Sequence, residues 1–222
     1  MGKSKQGGIS VLVGQNGIAP KKGLQNQVGS TTSTKEEKEK VVVDIGLDIS
    51  TAVVGICVLD ASTGAMLHLS HKKLTKFDTE YEKADNFTNE WVSDKWIVRK
   101  IFIEEAAKKF SPGFSSADTI MTLGRFNGII SYMVYGWFGI KPAMVNVRSA
   151  RSVLGIKINY KDKTKDTKTK VFEAVLARNP SFPWTKHLAK TGKSKGQVVW
   201  DKTNTDMADA WVISRGGQLI NP

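Results

Sequence analysis

The sequence predicts an α/β domain built on a mixed five-stranded sheet flanked by helices, and three observations lead to that prediction. Three strand-like apolar runs follow one another between residues 41 and 69, separated only by turn-forming residues. Beyond them, strand-like runs alternate with stretches of helical periodicity: residues 100–104, then 116–137, then 143–147. A meander followed by alternation brings antiparallel and parallel neighbours into one sheet. The hydrophobic share, 40% of 222 residues, is enough for one substantial core.

Residues 1–40 are rich in Gly, Lys, Gln, Ser and Thr and end in an alternating Lys/Glu run, the composition of a disordered tail. The domain is expected over residues 41–222. Residues 41–48 (VVVDIGLD) are apolar nearly throughout and read as a central strand. Residues 49–51 turn the chain, residues 53–59 make a second strand, Asp60 to Gly64 a hairpin loop, and residues 66–69 a third strand. Phe77, Tyr81, Ala84 and Trp91 recur at roughly helical spacing and predict a surface helix. Residues 100–104 (KIFIE) are the fourth strand. A long helix over residues 116–137 follows, striped by Ile120, Leu123, Phe126, Ile130, Val134 and Trp137. Gly124 and Gly128 lie four apart on it, and close approach to the sheet is the expected use, with a second subunit as the alternative. A fifth strand (143–147), a lysine-rich loop, a helix (168–177) and a last helix (205–214) complete the chain.

Cys57 is the only cysteine, which excludes an internal disulfide and any Cys-based zinc site. It lies in an apolar run and reads as a buried, inert thiol. There is no stretch of 18 apolar residues and no signal-peptide pattern, so a cytoplasmic, DNA-associated protein with no membrane partner is expected. His68, His71 and His187 have no catalytic or metal-binding spacing and are assigned no role.

Four carboxylates carry the chemistry. Asp48 and Glu104 each close an apolar strand, and neighbouring strands would bring the two charges close, which is costly unless a cation offsets it. In TNTDMADAW, Asn204 or Thr205 is expected to cap a helix, and Asp206 and Asp209, three apart, share one of its faces. Singly, each acid has a structural use as turn-former, strand end or helix-dipole partner. Together they fit an all-oxygen site for a hard divalent cation, Mg²⁺ or Mn²⁺, which is suited to phosphodiester cleavage.

The charge points the same way. The net charge is +12, and between Lys141 and Lys202 fifteen basic residues face four acids. Nearly the whole excess therefore sits just ahead of the aspartate pair, as expected for contact with a phosphate backbone. Arg148, Arg151, Lys157, Lys161, Lys163, Lys165 and Lys170 are the expected DNA contacts. Residues 157–170 and 186–195 read as two flexible basic loops able to close over a strand, and Trp184 and Trp200 beside the second as packing residues.

The run GLDISTAVVG (46–55) resembles the first strand and turn of the RuvC-like Holliday junction resolvases, an RNase H-like family. FIEE (102–105) resembles the family's second acidic strand, residues 116–128 the start of its long helix, VLGI (153–156) its apolar stretch before a basic loop, and DMADA (206–210) its terminal two-aspartate helix. The resemblance runs in order over residues 41–214. It implies an RNase H-like fold and a homodimer that makes paired nicks in a four-way DNA junction. It also implies that Asp48, Glu104, Asp206 and Asp209 hold two Mg²⁺ ions, with Lys168 near the scissile phosphate. The family's base-stacking aromatic falls near Ala107, with Phe110 and Phe114 further on as candidates, and a second basic position is approximated by Arg148 or Arg151. Three other readings share parts of the pattern. One is a less selective branched-DNA or flap nuclease on the same fold. Another is an ATPase of the actin/Hsp70 type, for which Gly216-Gly217 falls too late to supply the second phosphate loop. The last is a silent nucleic-acid-binding module, against which all four acids speak.

Overall fold

A computed structural model describes residues 40–106, 116–162, 164–192 and 194–221. The predicted tail, apart from Lys40, lies outside these residues. The chain runs β1 (Val41–Ile49), β2 (Val53–Asp60), β3 (Met66–Lys73), α1 (Glu80–Asn86), β4 (Trp96–Glu104), α2 (Ala117–Phe138), β5 (Ala143–Val145), α3 (Val147–Val153), α4 (Thr167–Arg178), β6 (Lys186–Leu188), β7 (Val198–Trp200) and α5 (Thr203–Ile220).

The main sheet has the order β3-β2-β1-β4-β5. β1 pairs antiparallel with β2 and parallel with β4, which puts the apolar first strand at the centre, as its composition predicts. Tight reversals make the antiparallel part. The Ser50 hydroxyl accepts from Val53 N at 3.0 Å between β1 and β2. Asp60 Oδ1 accepts from Ser62 N and Thr63 N before Gly64 turns at φ 72°.

Side-chain alternation divides the interior into two layers. Val43, Ile45, Leu47, Ile101 and Ile103 point to one face and pack on Phe126, Ile130 and Val134 of α2. Cys57, Leu59 and Phe102 point to the other and pack on Ala210, Ile213 and neighbours of α5, with Val171 and Phe172 of α4 behind. α5 is buried nearly all round, thirteen of its eighteen residues. Its lack of a clean polar face is why periodicity ends the helix too early, at residue 214. Two close approaches seat it. A Cβ on Gly46 would stand 2.4 Å from Ser214 Cβ, and one on Gly55 only 2.2 Å from the Asp206 carbonyl oxygen.

Several sequence expectations are corrected. The glycines of α2 do not serve contact with the sheet, because nothing lies within 4 Å of a Cβ built on Gly124, Gly128 or Gly136. The surface helix shrinks to seven residues, started by a Thr79/Glu82 capping box. The fifth strand ends at Val145, and Asn146 caps a short helix, α3, where strand and loop were expected. The second basic loop is instead the antiparallel hairpin β6–β7. Neither Asn204 nor Thr205 caps α5: Lys202 is its N-cap, without a side-chain cap bond, and Asp201 Oδ1 accepts from Thr203 N. Asn204 lies inside the helix and is spent elsewhere, exchanging bonds of 2.7 and 3.1 Å with the Thr185 backbone.

Candidate active site

Strand parity decides which acids meet. Asp48 shares a face with Asp44 and Gly46, and Glu104 shares that same face with Phe102, so both point toward α5. Leu47 pairs with Ile103, which sets Asp48 and Glu104 side by side at the ends of parallel strands. Asn127 of α2 anchors this end by donating to the Glu104 carbonyl at 3.2 Å. With Gly55 leaving room for the Asp206 backbone, the first turns of α5 bring Asp206 and Asp209 over the same strand ends.

Asp48 and Asp209 are buried. Burial, and then the charges of Asp209 and Glu104, hold the Asp48 carboxyl well above the usual carboxylate range, and Asp48 and Glu104 are close enough to hydrogen-bond. Burial also raises Asp209, against the pull of Arg151 and Lys168. Two cations of the chain answer these acids. Arg151 Nη2 of α3 lies 3.1 Å from Asp209 Oδ1, and Lys168 Nζ, in the first turn of α4, lies 2.7 Å from Asp206 Oδ1. Burial alone would lower the Lys168 ammonium, but Asp48, Asp206 and Asp209 outweigh it and raise its pKa. Among the described residues no three His, Cys, Asp or Glu side chains are already gathered tightly enough to enclose an ion. The donor set nevertheless suits a hard cation: every available ligand atom is a carboxylate oxygen, and two of the acids are buried with like-charged neighbours.

The predicted contacts divide. Arg148, Arg151 and Lys157 line one cleft of about 280 Å³ with Ile158 and Tyr160, and Arg151 joins it to Asp209. The Arg151 Nε is buried without a hydrogen-bond partner. Lys161 is exposed. Lys165 pairs with Glu173, and Lys170 turns inward to bond the Asn159 and Asp162 carbonyls, clasping a loop expected to be flexible. Lys163, Phe110 and Phe114 lie outside the described residues. Cys57 is fully buried, and burial pushes its thiol far up, as an inert cysteine requires. Gly216 and Gly217 pack against Ala150 and Phe102 within α5 and form no phosphate loop.

Three features escaped the sequence reading. Arg151 is a partner of the acid cluster as well as a cleft residue. His71 is within electrostatic reach of Asp206 and Asp201. Asp44, fully buried at the other end of β1, is bonded by Arg99 Nε and Nη2 (3.0 and 2.5 Å) and by Gln218 (2.8 Å). Asp44 was visible as a second acid in the apolar first strand, in step with Asp48.

Sheet order, strand senses and the carboxylates at the strand ends define an RNase H-like α/β domain with an acidic site on its α5 face. No protein-family model and no curated protein matches the sequence. Among solved structures, the chain is similar to Thermus thermophilus RuvC in complex with a Holliday junction substrate, at 12% identity and TM-score 0.48, covering 79% of this chain and 91% of that one. It is also similar to the yeast mitochondrial Holliday junction resolvase Ydc2, at 14% identity and TM-score 0.43, covering 83% and 80%.

Proposed function

We propose that this chain is a divalent-metal-dependent endonuclease that cuts branched DNA, with the four-way junction as substrate and paired symmetric nicks as products. The observation that carries the reading is the convergence of Asp48, Glu104 and Asp209, from three elements, on one face of the sheet, where burial and like-charged neighbours raise the Asp48 and Asp209 carboxyls. The junction as substrate, and Asp206 as the fourth ligand, rest on the ordered motifs from residue 46 to residue 210.

In this reading Asp48, Glu104, Asp206 and Asp209 hold Mg²⁺ or Mn²⁺. Ions held there would supply an acidified water and offset charge on the leaving 3′ oxygen. In net terms the water's OH would add to phosphorus and its other hydrogen to the released 3′ oxygen, leaving a 5′ phosphate and a 3′ hydroxyl. The chain's own groups do the positioning. Arg148 and Lys157 hold the backbone in their cleft, and Arg151, which lines the same cleft, stays paired with Asp209. Lys168 exchanges Asp206 for the scissile phosphate. Paired nicks need two copies. The exposed ridge of α2, where Gly124, Gly128, Tyr132 and Gly136 follow at four-residue spacing, supports a homodimer contact with close backbone approach.

The test compares a synthetic four-way junction, a Y-fork and plain duplex, with and without Mg²⁺, for the parent and for Asp48→Asn. Symmetric nicks confined to the junction, dependent on Mg²⁺ and absent in the variant, are expected. Equal cutting of all three substrates would reduce the reading to an unselective nuclease, and binding without cutting to a silent module.

A further inference from the structure

Among the described residues, the β6–β7 hairpin has almost no core of its own. Every residue of β6 is exposed, and the facing pair Leu188 and Val198 is 58% and 68% exposed. A two-stranded ribbon is marginal by itself, so what fixes it matters. Its root is held firmly. Asn204, fully buried in the first turn of α5, exchanges two hydrogen bonds with Thr185, and Asp201 N donates to the Thr185 carbonyl at 3.0 Å. Trp200 stacks edge-on against Phe172 of α4 at 5.5 Å, and Lys186 Nζ sits 4.2 Å over the Trp200 ring. Toward the tip, Gly196 N donates to the Ala189 carbonyl at 2.9 Å, and Gly192 and Gly196 have positive φ.

The arm is also basic. Lys186, Lys190, Lys195 and Lys202 are all exposed, and among the described residues only Asp201 opposes them. That carboxylate is occupied by Thr203 and His187. The hairpin is thus anchored on the same helical turn that carries Asp206, while Lys190 and Lys195 near its tip are exposed.

Resting on the nuclease reading above, we infer that the β6–β7 hairpin is a DNA-gripping arm that follows the duplex beside the cleaved phosphodiester. Its two strands are three residues each, about 10 Å at about 3.3 Å per residue. That spans about three base pairs at about 3.4 Å per step. A two-stranded ribbon fits the major groove, and charge rather than base reading provides the hold, so the contact is insensitive to sequence.

The test measures binding of the full chain in EDTA, by fluorescence anisotropy over a salt series, to four-way junctions with long and with very short arms. Lys190→Ala/Lys195→Ala should weaken binding to the long-armed junction on the order of tenfold or more, and lower the slope of log K against log salt by about 1.8. It should also lose the parent's preference for long arms. Lys40→Ala/Lys95→Ala, at the opposite end of the sheet, removes the same charge and should leave that preference intact. Equal slopes for parent and hairpin variant, or equal losses in both double variants, would overturn the arm. If Leu188→Ser/Val198→Ser changes self-association and not DNA affinity, the hairpin is a protein contact and the inference also fails. A parent that binds and nicks junctions while the hairpin variant matches it removes only the arm; a parent that binds neither junction removes the nuclease reading itself.

Discussion

Replacing Arg151 by alanine strips buried Asp209 of its ion-pair partner. The Arg151 and Asp209 side chains are only 14% and 7% exposed, and their contact is 3.1 Å long. Deleting one partner of a buried pair costs about 3–5 kcal/mol, because the survivor stays buried and charged. Lys168 still acts on Asp209, which sets the expectation at the lower end, about 3 kcal/mol. For a domain of this size that lowers Tm by about 6–12 °C. The loss should shrink in acid, where Asp209 takes up a proton and the uncompensated charge disappears. A divalent cation bound by the cluster replaces the missing guanidinium, so saturating Mg²⁺ should restore about 2.7 kcal/mol at a hundredfold excess over Kd. The assay is urea and thermal unfolding of both proteins near neutral pH, in EDTA and in Mg²⁺. Equal stabilities in EDTA, or an equal gain from Mg²⁺ in both proteins, would refute the view that Arg151 and a bound cation compete for the same carboxylate.

Three further outcomes are expected. The folded Asp48 carboxyl holds its proton more tightly than the unfolded one, so its contribution to stability is full below the ordinary carboxylate range and is lost as pH rises through the raised value. Asp48→Asn should therefore flatten the pH dependence of thermal unfolding in EDTA and match or exceed the parent's stability near neutrality, while abolishing nicking and retaining DNA binding. Gly55→Ala drives a methyl group to 2.2 Å from the Asp206 carbonyl, which should cost about 1–3 kcal/mol and reduce nicking far more than binding, read by parallel denaturation and cleavage assays. Arg99→Ala leaves the fully buried Asp44 with the Gln218 bond only, and should cost about 2–3 kcal/mol in urea unfolding with the nicking rate unchanged, because the pair lies at the far end of β1.

The five main strands, the long helix and the four acids were legible from residue order, because strand alternation, helical period and strand-end acids are local properties of the chain. Asp48 and Glu104 announce themselves as charges that close apolar runs. The elements that were missed depend on distant partners. β6 and β7 read as loop because their strands are three residues long and held by Trp200 on Phe172 and Asn204 on Thr185. The cap of α5 was misplaced because Asn204, a good capping residue, finds a better use nineteen positions away.

Residue order alone was enough to predict an α/β domain, four acids at strand ends and in the last helix, and a basic stretch ahead of the last pair, since each follows from residue type and spacing. It could not say that the Gly46 and Gly55 gaps let α5 settle onto β1 and β2, that Arg151 and Lys168 are the cations facing Asp209 and Asp206, or that Lys170 is spent on its own loop. Those facts depend on which face of a strand meets which turn of a helix. That is a matter of packing between segments up to 174 positions apart, such as Asp44 and Gln218, and no local pattern encodes it.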